Sequence, residues 1–271
     1  MKITEPVLGA PCWVELGTTD LSGAGAFYGA LFGWTAEQDP SPEAGGYTML
    51  LLGRDPVAAM TPLYQEGQPV AWTMSVSVAD CDAVAERVLH HGGTVMVGPM
   101  DIFDLGRFAV VTDPQGAVFQ LWQPRTFQGA ARMNETGTLC WVELAARDPE
   151  AARDFYTAAL SWGAHGGTGA GDYLQWAIDG RDFGGMLAMD PERFPADAPQ
   201  HWTVYFAVDD VDATLVRARE LGGRQGFAAT DLPGTGRVAG LVDPQGAAFA
   251  VFTPERYVGN DRSPVQGLPS G

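Results

Sequence analysis

The chain reads as an α+β protein built from two copies of one domain, on three observations. The string Cys-Trp-Val-Glu-Leu stands at 12–16 and again at 140–144. An aspartate followed by a Phe-Tyr pair recurs as Asp20 with Phe27-Tyr28 and Asp148 with Phe155-Tyr156, and Asp-Pro-Gln-Gly recurs at 113–116 and 243–246. The offset of about 130 residues is the size of an ordinary domain, well beyond the repeat of a solenoid or a propeller. The expected layout is a first domain over 1–126, a linker over 127–137, a second domain over 138–256 and a flexible tail over 257–271.

Local patterning supplies the elements. Trp13, Glu15 and Gly17 alternate with Val14 and Leu16, the period of two that marks a strand. Asp20 is placed to cap a helix in which Leu21, Ala24, Phe27, Tyr28, Leu31 and Phe32 recur at three- and four-residue spacing, and Gly33 ends it; 148–162 repeats this. Short strands follow around 47–52 and 57–61, copied at 173–178 and 183–188. A second unit opens with a strand over 71–78, enters a helix at Asp80 that stops at Gly92-Gly93, and closes with strands over 106–112 and 117–123. Its copy runs over 202–253. The Asp-Pro-Gln-Gly between the last two strands is a tight turn, proline setting one dihedral and glycine accepting a positive φ. Four such units result. The residues leave open whether unit one shares a sheet with unit two or with a unit of the other half.

Composition narrows the function. A chain of 271 residues with 46% hydrophobic residues can bury a sizeable core. Its formal charge of −17 opposes a phosphate-backbone partner, so no nucleic acid is expected. No apolar run has the length of a membrane helix, and the N-terminus lacks a signal-peptide pattern, so no membrane and a cytoplasmic location are expected. Cys12, Cys81 and Cys140 are too few and too scattered for a disulfide framework or a zinc site. Gly166-Gly167 and Gly184-Gly185 lack a dinucleotide or phosphate-loop fingerprint, so no nucleotide cofactor is implied. His90-His91 suits a helix C-terminus, where cations are favoured, while His165 and His201 read as rim residues. No Ser or Cys stands at triad spacing.

The string of Asp20, Phe27-Tyr28, Leu31-Phe32-Gly33-Trp34, Asp80-Cys81-Asp82-Ala83, Gly92-Gly93, Gly106-Arg107 and Asp113-Pro114-Gln115-Gly116, doubled in the second half, resembles the vicinal oxygen chelate superfamily. That superfamily includes glyoxalase I, extradiol dioxygenases and the bleomycin-resistance binding proteins. The likeness covers roughly 8–255 and is greatest to tandem two-domain actinobacterial members called glyoxalase-like or hydroxylase. It implies four βαβββ units whose curled mixed sheets form cavities. In metal-using members four inward positions supply His or Glu to one divalent ion. Here those positions fall on Trp13 and Trp141, Thr73 and Thr203, Gln120 and Ala250, and near Met60 and Met186. Only Gln120 could coordinate, and one weak ligand cannot hold an ion. The resemblance therefore implies a family scaffold with no metal and no cofactor, and disfavours glyoxalase or dioxygenase chemistry.

What remains on the inward face has the composition of an organic-ligand pocket. Trp13, Thr73, Ser75, Gln120 and Trp122 line it in the first half, with Met60 close by; Trp141, Thr203, Tyr205 and Phe252 line it in the second. Glu15 and Glu143 share the tryptophans' strand face, where a carboxylate must be paired or wet. A structural ion pair to Arg107 or Arg237 is the favoured reading of these two; a base or a grip on a hydroxyl-bearing ligand is the other. The more polar first half is the expected working site. The leading expectation is a monomeric binding protein for a small planar aromatic or polyketide-like molecule, in antibiotic sequestration or secondary metabolism. The alternatives are a metal-free tailoring enzyme using Glu15 or Glu143 as general base, and a module whose cavities are packed shut.

Overall fold

The computed structural model describes residues 1–169, 171–192 and 194–255; the expected tail and the last position of the second domain, 256, lie outside the described residues. The first half runs β1 (Pro11–Thr18), α1 (Leu21–Phe32), β2 (Trp34–Gln38), β3 (Thr48–Leu52), β4 (Asp55–Pro62), β5 (Ala71–Ser77), α2 (Cys81–His90), β6 (Thr94–Ile102), β7 (Gly106–Thr112) and β8 (Val118–Pro124). The second runs β9 (Leu139–Ala146), α3 (Pro149–Leu160), β10 (Gly163–Gly166), β11 (Tyr173–Ile178), β12 (Arg181–Ala188), β13 (His201–Ala207), α4 (Val211–Glu220), β14 (Arg224–Gln225), β15 (Thr230–Leu232), β16 (Gly236–Val242) and β17 (Ala248–Pro254). Each half makes its own mixed sheet, ordered β2-β3-β4-β1-β5-β8-β7-β6 and β10-β11-β12-β9-β13-β17-β16-β14, with β15 on β16. Unit one therefore pairs with unit two of the same half, through antiparallel β1 on β5 and β9 on β13. Neither strand order closes on itself; both sheets keep two edges.

Residue patterning alone misses β2, β6, β10, β14 and β15. Four of the five residues of β2 are exposed, and β6 alternates only between exposed and half-buried positions while its residues, Thr-Val-Met-Val-Gly-Pro-Met-Asp-Ile, do not alternate apolar with polar, so neither shows the sequence pattern of a half-buried strand. The four helix starts follow their capping chemistry. Asp20, Asp80, Asp148 and Asp210 each accept a hydrogen bond from the backbone N–H three residues on. His90 is the last residue of α2, at the end where the dipole favours a cation.

The two sheet faces divide the apolar residues. Val14, Leu16, Met74 and Val76 are fully buried in the main core on the helix side. Met60, expected in the ligand pocket, lies there too: it pairs with Leu16 across β1 and β4, is 2% exposed, and sits against Gly25 of α1. Met186 pairs with Leu144 in the same way. The pocket-side residues are their neighbours Ala59 and Gly185, because a shift of one residue along a strand changes the face.

The halves meet through their helices, α1 on α4 and α2 on α3. Tyr28 of α1 reaches across and donates to Asp243 at 3.0 Å, while Tyr156 of α3 donates to Asp113 at 3.1 Å. Each phenol oxygen also accepts from its own half's indole, Trp72 or Trp202, at 2.9 Å. Aromatic rings pack around both phenols, with Phe249 5.5 Å from Tyr28 and Phe119 5.7 Å from Tyr156. Fully buried rings of this size dominate core energetics. The interface is thus a continuation of the core.

Candidate functional site

On the face turned away from the helices, each half holds one carboxylate at its centre. Glu15 accepts from the Tyr47 hydroxyl at 2.6 Å and from Gln120 Nε2 at 3.0 Å. Trp13 Nε1 donates to the Tyr47 oxygen at 3.0 Å, and the Ser75 hydroxyl donates to Gln120 Oε1 at 2.6 Å. Thr73 lies opposite Glu15 and Ser75 opposite Trp13 on β5, so the alternation places these residues on one face as expected. Glu143 accepts from Tyr173 at 2.8 Å and from Tyr205 at 2.7 Å, and Trp141 Nε1 donates to the Tyr173 oxygen at 2.9 Å. Thr203 is the strand partner of Glu143 and Tyr205 that of Trp141, while Phe252 pairs with Ala207. Tyr47 and Tyr173 were not among the residues singled out from the sequence. Tyr47 precedes its strand and Tyr173 opens one, so neither sits within an alternating run.

The expected ion pair to arginine is overturned. Arg107 binds Asp82 at 2.6 Å and Asp101 at 3.0 Å; Arg237 binds Asp212 at 3.0 Å and Asp231 at 2.7 Å. These exposed forks staple the second helix of each half to its strands. With no cation bonded to them among the described residues, Glu15 and Glu143 have their pKa raised above the ordinary carboxylate value by burial, against which the phenol and amide donors act. Burial and the adjacent carboxylate push the phenols of Tyr47, Tyr173 and Tyr205 well above their ordinary value.

The two faces differ in access. In the first half Phe127, from the stretch after β8, lies edge-on to Trp13 at 5.0 Å and against Trp122 at 6.0 Å, and its carbonyl accepts from Trp122 Nε1. Trp13 and Trp122 are left 3% and 8% exposed. Strand alternation carries no signal of a cover that comes from the linker. In the second half Trp141 and Phe252 stay partly exposed and Tyr173 is 39% exposed. Two cavities lie off the carboxylates. One of about 260 Å³ sits between the halves beside Gly9, Ser77, Arg87 and Leu160, and one of about 200 Å³ lies under residues 1–7 and reaches the site through Trp141.

Gly185 shapes the open face. A Cβ there would fall 2.2 Å from the Tyr173 hydroxyl, so the phenol crosses β12 to Glu143 only because the position is glycine. Gly185→Ala is expected to swing this half-exposed ring outward with a stability change under about 1 kcal/mol. Spectrophotometric titration should then find one more tyrosine near pH 10, the ordinary phenol value, than in the parent chain.

A divalent ion needs three or four N, O or S donors. The first face offers one carboxylate, one amide and one phenol, and the second one carboxylate and two phenols; the phenols are held protonated as donors to the carboxylates, which leaves one anionic ligand on each face. Among the described residues no three His, Cys, Asp or Glu side chains stand where they could share an ion. The residues on these faces do not fit the metal that the fold carries elsewhere. The three cysteines are free and buried, and no described helix is long and apolar enough to cross a membrane.

Sequence comparison agrees with this architecture. The family profile of the Glyoxalase/Bleomycin resistance protein/Dioxygenase superfamily matches 138–251, and that of a glyoxalase-like domain matches 13–122. The chain belongs to this superfamily. It is 42% identical over 259 residues to a Mycobacterium tuberculosis protein provisionally named a glyoxylase, CFP32, covering 93% of this chain and 98% of that one. It is 39% identical to the anthracycline biosynthesis protein DnrV of Streptomyces peucetius, over 90% of this chain and 92% of that one. Among solved structures, a Mn(II)-bound glyoxalase from Novosphingobium aromaticivorans superposes with a TM-score of 0.66 at 14% identity, over 91% of this chain and 82% of that one. The 2,3-dioxygenase LapB of Pseudomonas sp. KL28 gives 0.63 at 14% identity, over 94% and 95%. At such identities the likeness is one of fold.

Proposed function

We propose that this chain is a metal-independent binding protein for a planar, hydroxylated aromatic molecule of polyketide type, and that the second-half face around Glu143 is its site. The observation that carries this reading is the hydrogen-bonded triad of Glu143, Tyr173 and Tyr205 beside a partly exposed Trp141. A carboxylate that already accepts two phenols is chemically matched to a third from a ligand, and the Trp141 and Tyr173 rings supply surface for stacking. Each aromatic pair contributes about 0.5–1.5 kcal/mol beyond area burial. Two pairs and one hydrogen bond to a charged acceptor give about 3–6 kcal/mol, and with the apolar area buried beneath the rings a micromolar Kd, about 8 kcal/mol, is within reach. The 39% identity to a protein named for anthracycline biosynthesis supports a polycyclic aromatic ligand and a role in secondary metabolism. Free buried cysteines suit the cytoplasm, and the pairing of two halves suits a monomer.

The raised pKa of Glu143 favours a second reading, in which the same carboxylate removes a proton from a bound phenol or an activated carbon. One experiment separates the two. Chelator-treated protein is titrated with dihydroxyanthraquinone while tryptophan emission is followed, and the mixture is then chromatographed. Quenching at micromolar ligand with no new product supports binding, and a product formed without metal supports the base. Binding or turnover that appears only when a divalent ion is returned would sink both.

A further inference from the structure

The Glu143 triad stands at one end of a row that runs across the second sheet. Pairing register aligns Glu143 on β9 with Gly185 on β12, Gly185 with Gln175 on β11, and Gln175 with His165 on β10. Residues paired in register share a face, so all four sit on the side where Tyr173 and Trp141 meet Glu143. At the far end the His165 ring crosses β11, and its Nε2 lies 2.6 Å from Asp182 Oδ1 on β12. The His165 Nδ1 and the Gln175 amide have no hydrogen-bond partner among the described residues. Two sets of polar groups thus bracket a floor of glycine and the Tyr173 ring. Three strand spacings, about 14 Å, separate the backbones of Glu143 and His165, and the imidazole reaches back across β11 from there, so the two sets of polar groups stand closer than that, at the span of roughly three to four linearly fused six-membered rings.

The first half shows what this row looks like when it is not open. The positions matching Glu143, Gly185, Gln175 and His165 are Glu15, Ala59, Met49 and Glu37. Met49 packs against the buried cluster of Trp13, Ala59 and Trp122, as Phe127 does, so apolar side chains fill the middle of the row. In the second half the same middle is a glycine and a half-buried, unpaired amide. The divergence falls on the residues a ligand would lie across.

We infer that the second-half face is a platform for a linear tri- or tetracyclic aromatic carrying oxygens at both ends, with the His165 and Asp182 pair and Gln175 as the subsite that selects for length. Asp182 holds the imidazole across the sheet, so that Nδ1 is directed at a ligand oxygen beyond the Glu143 end. This inference rests on the reading of Glu143 given above and adds the far subsite to it.

The test compares two probes on the full chain by tryptophan fluorescence: naphthol, which reaches only the Glu143 end, and dihydroxynaphthacenequinone, which spans the row. His165→Ala, an exposed position, should weaken the tetracycle about tenfold and leave naphthol unchanged. Asp182→Asn should weaken the tetracycle in the same sense by releasing the ring. If both probes bind the parent and neither substitution changes the tetracycle, the far subsite is wrong and the Glu143 reading stands. If His165→Ala weakens both probes alike, length selection is wrong. If the parent binds neither probe, both readings fall.

Discussion

Asp113→Ala is expected to destabilise the whole chain by about 4 kcal/mol, read as a fall in Tm of roughly 10 °C. The carboxylate does two jobs at once. Oδ1 accepts from the backbone N–H of Gln115 and of Ala117 at 2.9 Å each, which holds the Asp-Pro-Gln-Gly turn. Oδ2 accepts from Tyr156 at 3.1 Å and from Gln200, both of the other half. Alanine breaks all four bonds and leaves the Gln200 amide buried without that acceptor, and an unmade buried bond costs more than a made one contributes. Asp243→Ala should behave alike, since Asp243 accepts from Gln245, Gly246 and Ala247 in its own turn and from Tyr28 across the interface. Because each aspartate joins a turn of one half to a helix of the other, calorimetry should show one transition moved down, with both halves melting together. A loss below about 1 kcal/mol would mean that the turns hold themselves and the crossed phenols contribute little.

The same residues show where sequence reading succeeds and where it stops. The Asp-Pro-Gln-Gly turn was legible because its chemistry is local: proline, glycine and an aspartate bonding residues two and four ahead. The partnership of Asp243 with Tyr28 was not, because it spans 215 positions and nothing periodic connects them. Strand alternation assigned Trp13, Glu15, Trp141 and Glu143 to one face, since period two needs only neighbours. Alternation had no part in placing Met60, which came from the family correspondence and missed by a single residue, in a strand the opposite side of the sheet. It could not foresee Phe127 over the first face, nor the two tyrosines that replace arginine as partners of the carboxylates. Phe127 and Tyr47 sit on connecting stretches, whose paths leave little periodic trace, and Tyr173, at the start of β11, reaches Glu143 only by crossing a neighbouring strand.

Doubling of the domain gives the faces freedom to diverge while the interface stays symmetric. The crossed Tyr28–Asp243 and Tyr156–Asp113 bonds and their indole donors match pair for pair. The helix-free faces do not match: Gln120 stands where the second half has Ala250, and Met49 where it has Gln175. Stability is therefore assigned to the shared aromatic core, and both faces carry a costly buried carboxylate, the first under the Phe127 cover and the second partly open. On the proposed reading, the open one trades stability for binding.

Glu143→Gln tests that trade directly. The substitution keeps the shape and removes the charge, so a ligand phenol loses its anionic acceptor, and affinity for dihydroxyanthraquinone should fall about a hundredfold, or nearly 3 kcal/mol. Stability should move the other way with pH. Burial raises the folded-state pKa of Glu143 above its unfolded value, so the folded chain holds the proton more tightly than the unfolded one. Below the ordinary carboxylate value both states are protonated, and parent and variant should differ little. As pH rises through the window between the unfolded and folded pKa, the unfolded parent ionises freely while the folded parent must keep a proton or bury a charge, and its stability declines. The variant has no such group. Denaturant melts from pH 4 to pH 8 should therefore show the variant gaining on the parent toward the alkaline end. A constant difference across that range would mean that Tyr173 and Tyr205 fully offset the burial of the carboxylate. Undiminished ligand affinity in Glu143→Gln would instead remove Glu143 from the site.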